Sequence, residues 1–420
     1  MTGSLRGRNV RRAVMVPVQA LVLPLAYAFP RRRGLWLFAY QLGYKDNPRY
    51  QFEQVVAAAP PGVRPVWFAQ TREEEAAVRA TGRPAVWKRR PRGWLLQLRA
   101  GVVVIGSGLG ELNRPLVGRA RIVQTWHGAP FKRIHADFPQ GDDVVHGGGP
   151  VADAVNGVVR RIVRFTRSRV AMVPSQSEVV AARYQSAFGI GPAATPVVGT
   201  PRADVIGRRG PEADDEARRA RESVLPPDLH GATRFLLYAP TWRDFGSEDV
   251  LKKGLDVAAL EALLCEHDAV LLIRMHPHAD PTVFEAVGAA PGSRIVVRSG
   301  SDVDINVLLR AVDFLITDYS AISVDFALLG RPILYFMPDL AAYEGARGLY
   351  ESPSLLTGGL HSSTWDELLR SLASAFADPS PYVAATESMA DRYWGHRDTE
   401  SCARIMAEVL RLTGLDRAAP

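Results

Sequence analysis

The sequence predicts an α/β fold: two Rossmann-like lobes with a cleft between them, preceded by a basic and apolar arm. Three observations predict it. Short apolar runs alternate with amphipathic or charged stretches along most of the chain, the pattern of parallel sheets covered by helices. The alternation falls into two series of similar size, separated by a charged, proline-bearing stretch. The 420 residues, 47% hydrophobic and 23% charged, give room for two cores and exclude wholesale disorder.

The arm comes first. Arg6, Arg8, Arg11 and Arg12 precede an apolar run over 13–29, and Arg31, Arg32 and Arg33 follow it. That run is at the short limit for crossing a bilayer, and Pro17 and Pro24 break a straight helix. Residues 1–34 therefore read as an interfacial or re-entrant anchor, with arginines available to an anionic membrane surface. Two rivals stand beside it. Ala26-Tyr27-Ala28 has the form of a signal-peptidase site, although arginines directly after it are unusual for an exported chain. A plain buried or disordered segment is the other.

In the first lobe, 35–206, strands are expected at 35–39, 65–69, 102–105, 121–125, 170–173 and 196–198. Helices are expected at 48–58 and 71–80, the second stopped by Gly82, and at 176–188. For the last of these, Ser175 and Glu178 form a capping box and Gly189 a stop. The stretch 207–231 is acidic, then basic, then broken by Pro226-Pro227, and reads as a linker or surface excursion. The second lobe, 232–420, has strands at 235–239, 270–274, 294–297, 314–317 and 333–336, with helices at 257–267 and 320–329. Its last helix can pack back on the first lobe.

Two cysteines, Cys265 and Cys402, lie far apart, which opposes a disulfide scaffold or a cysteine metal site and suits a reducing compartment. The net charge of +7 suits an anionic partner without selecting one. A nucleic-acid partner is not expected, because the arginines are scattered and no basic-aromatic module is visible.

Open α/β sheets bind ligands beyond the carboxyl ends of their strands, so the residues following each strand are the candidates. After 121–125 come Trp126-His127-Gly128-Ala129-Pro130-Phe131-Lys132. Gly128 and Pro130 oppose a helix, so His127 is expected at a tight turn facing the cleft, as a base for an attacking hydroxyl, with Lys132 offsetting phosphate charge. In the second lobe, Thr241 and Arg243 follow one strand, and Arg274 and His276 follow the next. Asp318, Ser320 and Ser323 open a helix, with Ser320 as its N-cap. Arg274 and His276 suit a pyrophosphate. Asp302-Val303-Asp304 is the nearest approach to a metal site and reads better as a cap for a helix over 305–310. No cofactor is implied, and metal dependence stays open.

These runs resemble a known family. Gln124-Thr125-Trp126-His127-Gly128-Ala129-Pro130-Phe131-Lys132-Arg133 is similar to the Trp-His-Gly…Lys signature of the CDP-glycerol glycerophosphotransferases, the teichoic acid primases and polymerases. The runs 43–50, 238–243, 274–277 and 317–326 match in order, so the resemblance covers about 35–410. It implies a GT-B architecture, CDP-glycerol as donor, a lipid-linked or polymeric acceptor, and monotopic association with the cytoplasmic face of the cell membrane. It also implies His127 as the catalytic base, with His276, Asp318, Ser320 and Ser323 at the donor. The family's usual Asp-Gly near the C-terminus is replaced here by Asp398-Thr399, and the stretch 343–350 is a loose match. Rival readings are a GT-B glycosyltransferase using a nucleotide sugar, a CDP-ribitol-type phosphotransferase, and a non-catalytic phosphopolymer-binding protein at the membrane surface.

Overall fold

The computed structural model describes residues 22, 24–138, 169–243, 248–275, 284, 287–288, 290, 292–300 and 303–416. The first lobe is built on β1 (Arg32–Ala39), β2 (Arg64–Ala69), β3 (Ala85–Trp87), β4 (Ala100–Ile105), β5 (Arg121–Gln124) and β6 (Val170–Met172). The second is built on β7 (Arg234–Ala239), β8 (Ala269–Met275), β9 (Ile295–Ser299), β10 (Phe314–Thr317), β11 (Ile333–Phe336) and β12 (His361–Ser362). Every strand pairing is parallel, and the sheet orders are β3-β2-β1-β4-β5-β6 and β12-β11-β10-β7-β8-β9. Each lobe thus runs third-second-first-fourth-fifth-sixth, which reverses direction between β1 and β4 and again between β7 and β10. Those reversals are where open α/β sheets accept ligands.

The strands are near-continuous apolar runs because both sheet faces are covered. In β1, Leu37, Phe38 and Ala39 are wholly buried, as are Leu236, Leu237 and Tyr238 in β7. The short edge strands β3 and β12 carry too few apolar residues to stand out in the sequence. The run 196–198, expected as a strand, contributes one bridge, Ser175 to Val197, because Pro196 has no N–H to give a ladder.

Two helix expectations change. The cap of Glu178–Phe188 is Ser177, whose hydroxyl accepts Val180 N at 3.4 Å, not Ser175. Ser175 is instead held in the chain that links β6 to the 196–199 segment. Its C-terminal stop is Gly189, left-handed at φ 65°. The charged stretch after Gly207 is a helix, Pro211–Val224, which buries Ala213, Ala217, Ala220 and Val224 and pairs Glu216 with Arg310 at 2.5 Å. The charges that made it look like a surface excursion occupy its outer face.

The last helix, Ser401–Thr413, crosses back to the first lobe. Ile405 and Val409 join Phe52 and Val55 in one core, each contributing about 1.5–3 kcal/mol by burial. Asp204 accepts the N–H groups of Ser401 and Cys402, both at 2.8 Å, satisfying donors that the helix start leaves open.

The arm is described only from its end. Arg31 is not offered to headgroups: its guanidinium donates to the carbonyls of Gln97 and Ala26, both at 2.8 Å, and burial with Arg169 and Arg119 nearby pulls its pKa to about 10. It pins the arm to the lobe. Among the described residues no helix is long and apolar enough to cross a membrane.

Candidate active site

The turn after β5 is unusual in its backbone. Trp126 has φ +54° and Gly128 φ +141°. A left-handed tryptophan is costly, on the order of 1–3 kcal/mol, and persists only where the surroundings fix it. They do so here. Its ring packs edge-on against His135 and Phe188, its carbonyl accepts Asn47 Nδ2 at 2.9 Å, and Thr125 N bonds Ile105 O at 2.8 Å. The chain beyond is tied down by Tyr184 to Gly128 O and by Arg183 to Pro130 O.

His127 projects from this turn into the space between the lobes. The residue is exposed to water, although protein is dense around its ring. That burial, then the charges of Arg202, His135 and Lys132, push its pKa down, to about 4. Water reaching the open ring softens the first cause but not the sign. The imidazole is neutral near pH 7 and has a free lone pair, the form a general base requires.

Across the crevice stands the turn after β10. A Cβ placed on Gly128 would lie 2.7 Å from the Cβ of Ala321, so only glycine allows this approach. The two turns are bridged by a buried residue that the sequence reading missed. Arg202 reaches Asp46 on the first lobe at 2.5 Å and Asp325 on the second at 2.7 Å. Burial opposes its charge, but the two carboxylates outweigh that and hold its pKa above the ordinary value. Its backbone N–H donates to Asn47 Oδ1 at 2.9 Å, so Asn47 ties Arg202 to the His127 turn. Asp46, Asn47 and Asp325 sit within the runs 43–50 and 317–326. Arg202 had only a Gly-Thr-Pro-Arg sequence opening a short helix to mark it.

The strand ends at β10, β7 and β8 are neighbours, so Asp318, Thr241 and Arg274 share one rim within about 10 Å of backbone. They do not play like parts. Asp318 accepts Thr241 N at 2.9 Å, Tyr319 N at 2.6 Å and Arg243 Nη1 at 2.7 Å, and is buried. Arg243 also forks onto Asp339 at 2.8 and 3.0 Å and onto Thr241 O at 2.6 Å. Arg243 and Asp318, both expected at the phosphates, here turn to each other. The pair neutralises itself inside the rim, where each charge would otherwise be buried alone, and it fixes the turn's shape. The Thr241 hydroxyl is buried with no partner among the described residues.

Ser323, also expected at the donor, lies within the turn. It is fully buried and donates to Ser320 O at 2.9 Å. The helix it belongs to is only Ile322–Ala327, with Ala321 as N-cap, so Ser320 lies one residue outside and accepts Ile322 N at a long 3.4 Å. Ser320 stays half-exposed at the crevice.

Arg274 is an open cation. Nη2 donates to Val303 O at 3.2 Å, while Nη1 is buried without a partner among the described residues. Burial lowers its pKa, with Asp304 acting the other way. Asp304 itself caps Asn306 N at 3.0 Å and accepts Tyr50 OH from the first lobe, so it acts as the expected cap. Among the described residues no cluster of His, Cys, Asp or Glu could hold a metal ion. His276 and Asp302 lie outside the described residues.

Lys132 forms an antiparallel bridge with Leu349 of the second lobe, and its ammonium lies 5.5 Å from the centroid of Tyr343. Tyr343 stacks on Tyr319 at 3.8 Å, and Arg243 lies against both rings. The stacked ring pair, with Lys132 against Tyr343 and Arg243 beside both rings, therefore joins the His127 side to the donor-side rim. At the reversal point of the first lobe, the N–H groups of Gly106, Ser107 and Gly108 form an anion-binding nest already filled by Glu111, whose carboxyl burial pushes to about 7.

The profile of CDP-glycerol:poly(glycerophosphate) glycerophosphotransferases matches residues 23–411. The chain belongs to that family. Among its relatives, the teichoic acid poly(glycerol phosphate) polymerase of Bacillus spizizenii is 26% identical over 347 residues, 81% of this chain and 83% of the relative. The Bacillus subtilis polymerase is 27% identical over 350 residues, 81% of this chain; the glycerophosphotransferase chain spans only 44% of that relative's length, and 30% of the Staphylococcus epidermidis polymerase. The wall teichoic acid polymerase TagF, in a histidine variant, shares the fold at a TM-score of 0.73 and 21% identity over the whole of both chains. The α/β architecture of two facing lobes is that of this group.

Proposed function

We propose that this family member transfers glycerol phosphate from CDP-glycerol to a hydroxyl of a membrane-linked phosphopolymer acceptor, at the cytoplasmic face of the membrane. His127 removes the acceptor proton as the oxygen attacks the β-phosphorus. The new P–O bond forms as the bond to the bridging oxygen breaks, and CMP leaves with that oxygen. Arg274 takes charge on the diphosphate, Ser320 and Lys132 lie beside it, and Arg243 with Asp318 holds the rim in shape. Such transfers gain most of their speed from positioning and charge stabilisation. The resemblance also assigns His276 to the donor phosphates.

The observation that carries this reading is the approach of Gly128 to Ala321, which sets a neutral, water-accessible imidazole against the donor-side turn across one crevice. The family's description and the TagF crystals soaked with CDPG support the donor. The arginine-flanked apolar arm supports the membrane side.

The test is turnover of labelled CDP-glycerol, with CDP-ribitol and nucleotide sugars alongside, on lipid-linked acceptors. His127→Ala is expected to lose about 10²- to 10⁴-fold in rate while still binding CMP. Wild-type turnover by that variant, or release of UDP or GDP in place of CMP, overturns the assignment.

A further inference from the structure

The first lobe carries a second cavity at the opposite end of its sheet. It measures about 280 Å³ and is lined by Arg32, Arg64 and Arg99 around Leu35, Leu95 and Leu96. β1 and β2 begin here and the helix Pro91–Arg99 ends here. The cavity therefore lies at the amino edge of the strands, roughly 20 Å from the ends that carry the active site, at 3.3 Å per residue.

Its chemistry is divided. Arg32 and Arg64 are exposed and Arg99 half-buried, and none of the three forms a salt bridge among the described residues. The arginines buried in the fold do, as Arg202, Arg243 and Arg310 illustrate. Leu95 and Leu96 leave apolar surface open beside those cations, while Leu35 is buried. Leu95 in that lining is 44% exposed, and the neighbouring Trp94, outside it, 47%. Leu25, 68% exposed, belongs to the helical residues 24–28 that lead into β1 at this same edge.

Unpaired cations around an apolar floor fit a molecule that is anionic at one end and apolar at the other. A free phosphate or a nucleotide would leave the leucines uncovered, and a zwitterionic lipid would bring a further cation to three arginines. We propose that this cavity binds one anionic phospholipid of the membrane surface, its phosphate between the guanidinium groups and the start of an acyl chain on Leu95 and Leu96. Trp94 and Leu95 then sit in the interfacial layer, where indole rings are favoured. The volume holds a glycerophosphate headgroup and the first carbons of a chain, with the remainder left in the bilayer. This rests on the membrane placement proposed above, and its test uses neither donor nor acceptor.

The experiment measures binding of the full chain to phosphatidylcholine vesicles with and without phosphatidylglycerol, and to soluble short-chain phosphatidylglycerol. The expected result is saturable one-site binding of the short-chain lipid and a preference for phosphatidylglycerol vesicles. The triple variant Arg32→Gln, Arg64→Gln, Arg99→Gln is expected to lose affinity by about fivefold per arginine, on the order of a hundredfold in all. A charge-matched control removes the exposed Arg208, Arg298 and Arg370, none of which lines the cavity; it is expected to bind short-chain lipid like the wild type. Trp94→Ser is expected to weaken vesicle binding and leave short-chain lipid binding in place. Three results overturn the proposal: equal losses in control and triple variant, unchanged binding by the triple variant, or inorganic phosphate competing as well as the lipid does. An unfolded triple variant is recognised by its melting curve; the single Arg64→Gln, at an exposed strand start, then carries the test with its fivefold loss.

Discussion

Replacing Arg202 by methionine separates the interlobe bridge from the chemistry. The guanidinium is 9% exposed, Asp325 2% and Asp46 18%, so the substitution leaves one carboxylate fully buried and another largely so, with no cation between them. Breaking such a buried pair from one side costs about 3–5 kcal/mol. That is a large part of the roughly 5–15 kcal/mol that holds a typical domain together. Burial already raises the pKa of Asp325, and Arg202 is what opposes it. Without Arg202 the folded-state value rises further. A raised carboxyl pKa costs stability at pH values above it, and the cost disappears as pH falls below the unfolded value near 3.8, where both states are protonated. The expected outcome is a variant much weaker than wild type at pH 7 in urea unfolding, with the gap closing at acid pH. Arg202 also helps to lower the pKa of His127, so the acid limb of kcat/KM is expected to move to higher pH in the variant. A loss under about 1 kcal/mol at pH 7, with an unmoved acid limb, refutes the bridge as described. A stability loss alone makes Arg202 a structural residue and removes it from the positioning of His127.

Other outcomes follow from the same geometry. In the wild type, the acid limb of kcat/KM is expected well below the ordinary histidine value of 6.5, because the lowered pKa keeps His127 neutral and competent down towards pH 4; a bound diphosphate favours the imidazolium, so the limb of kcat lies higher than that of kcat/KM. Gly128→Ala must open its contact with Ala321 from 2.7 Å to an ordinary 3.5–4.0 Å, about 1 Å, which is enough to cost around 100-fold in turnover, read as kcat with donor binding retained. Arg274→Met is expected to raise the donor KM by about 10- to 100-fold, the worth of a charged hydrogen bond, while leaving the melting temperature unchanged or higher, because an unpartnered buried Nη1 is removed. A fall in melting temperature with KM unchanged would make Arg274 a structural residue.

The division between sequence and structure runs along a physical line. Period and punctuation are local, so strands such as β1, β7 and β10, their order, and the glycine-marked turn at His127 were legible residue by residue. The motif runs placed His127, Arg274 and Ser320 at strand ends and named the family before any coordinate. What the sequence could not separate was which polar residue faces the crevice and which faces another polar residue. Asp318, Arg243 and Ser323 have the chemistry of phosphate ligands, yet in the buried turn Asp318 pairs with Arg243, 75 residues away, and Ser323 bonds Ser320 O. Arg202 meets Asp46 and Asp325 across 156 and 123 residues, a pairing that exists only once both sheets have formed and closed on one another. The same holds for the cavity at Arg32, Arg64 and Arg99, three arginines from three separate segments that parallel pairing of β1, β2 and β4 brings to one edge. Composition and spacing determined the kind of protein; long-range packing decided which charges cancel and which remain available to a ligand.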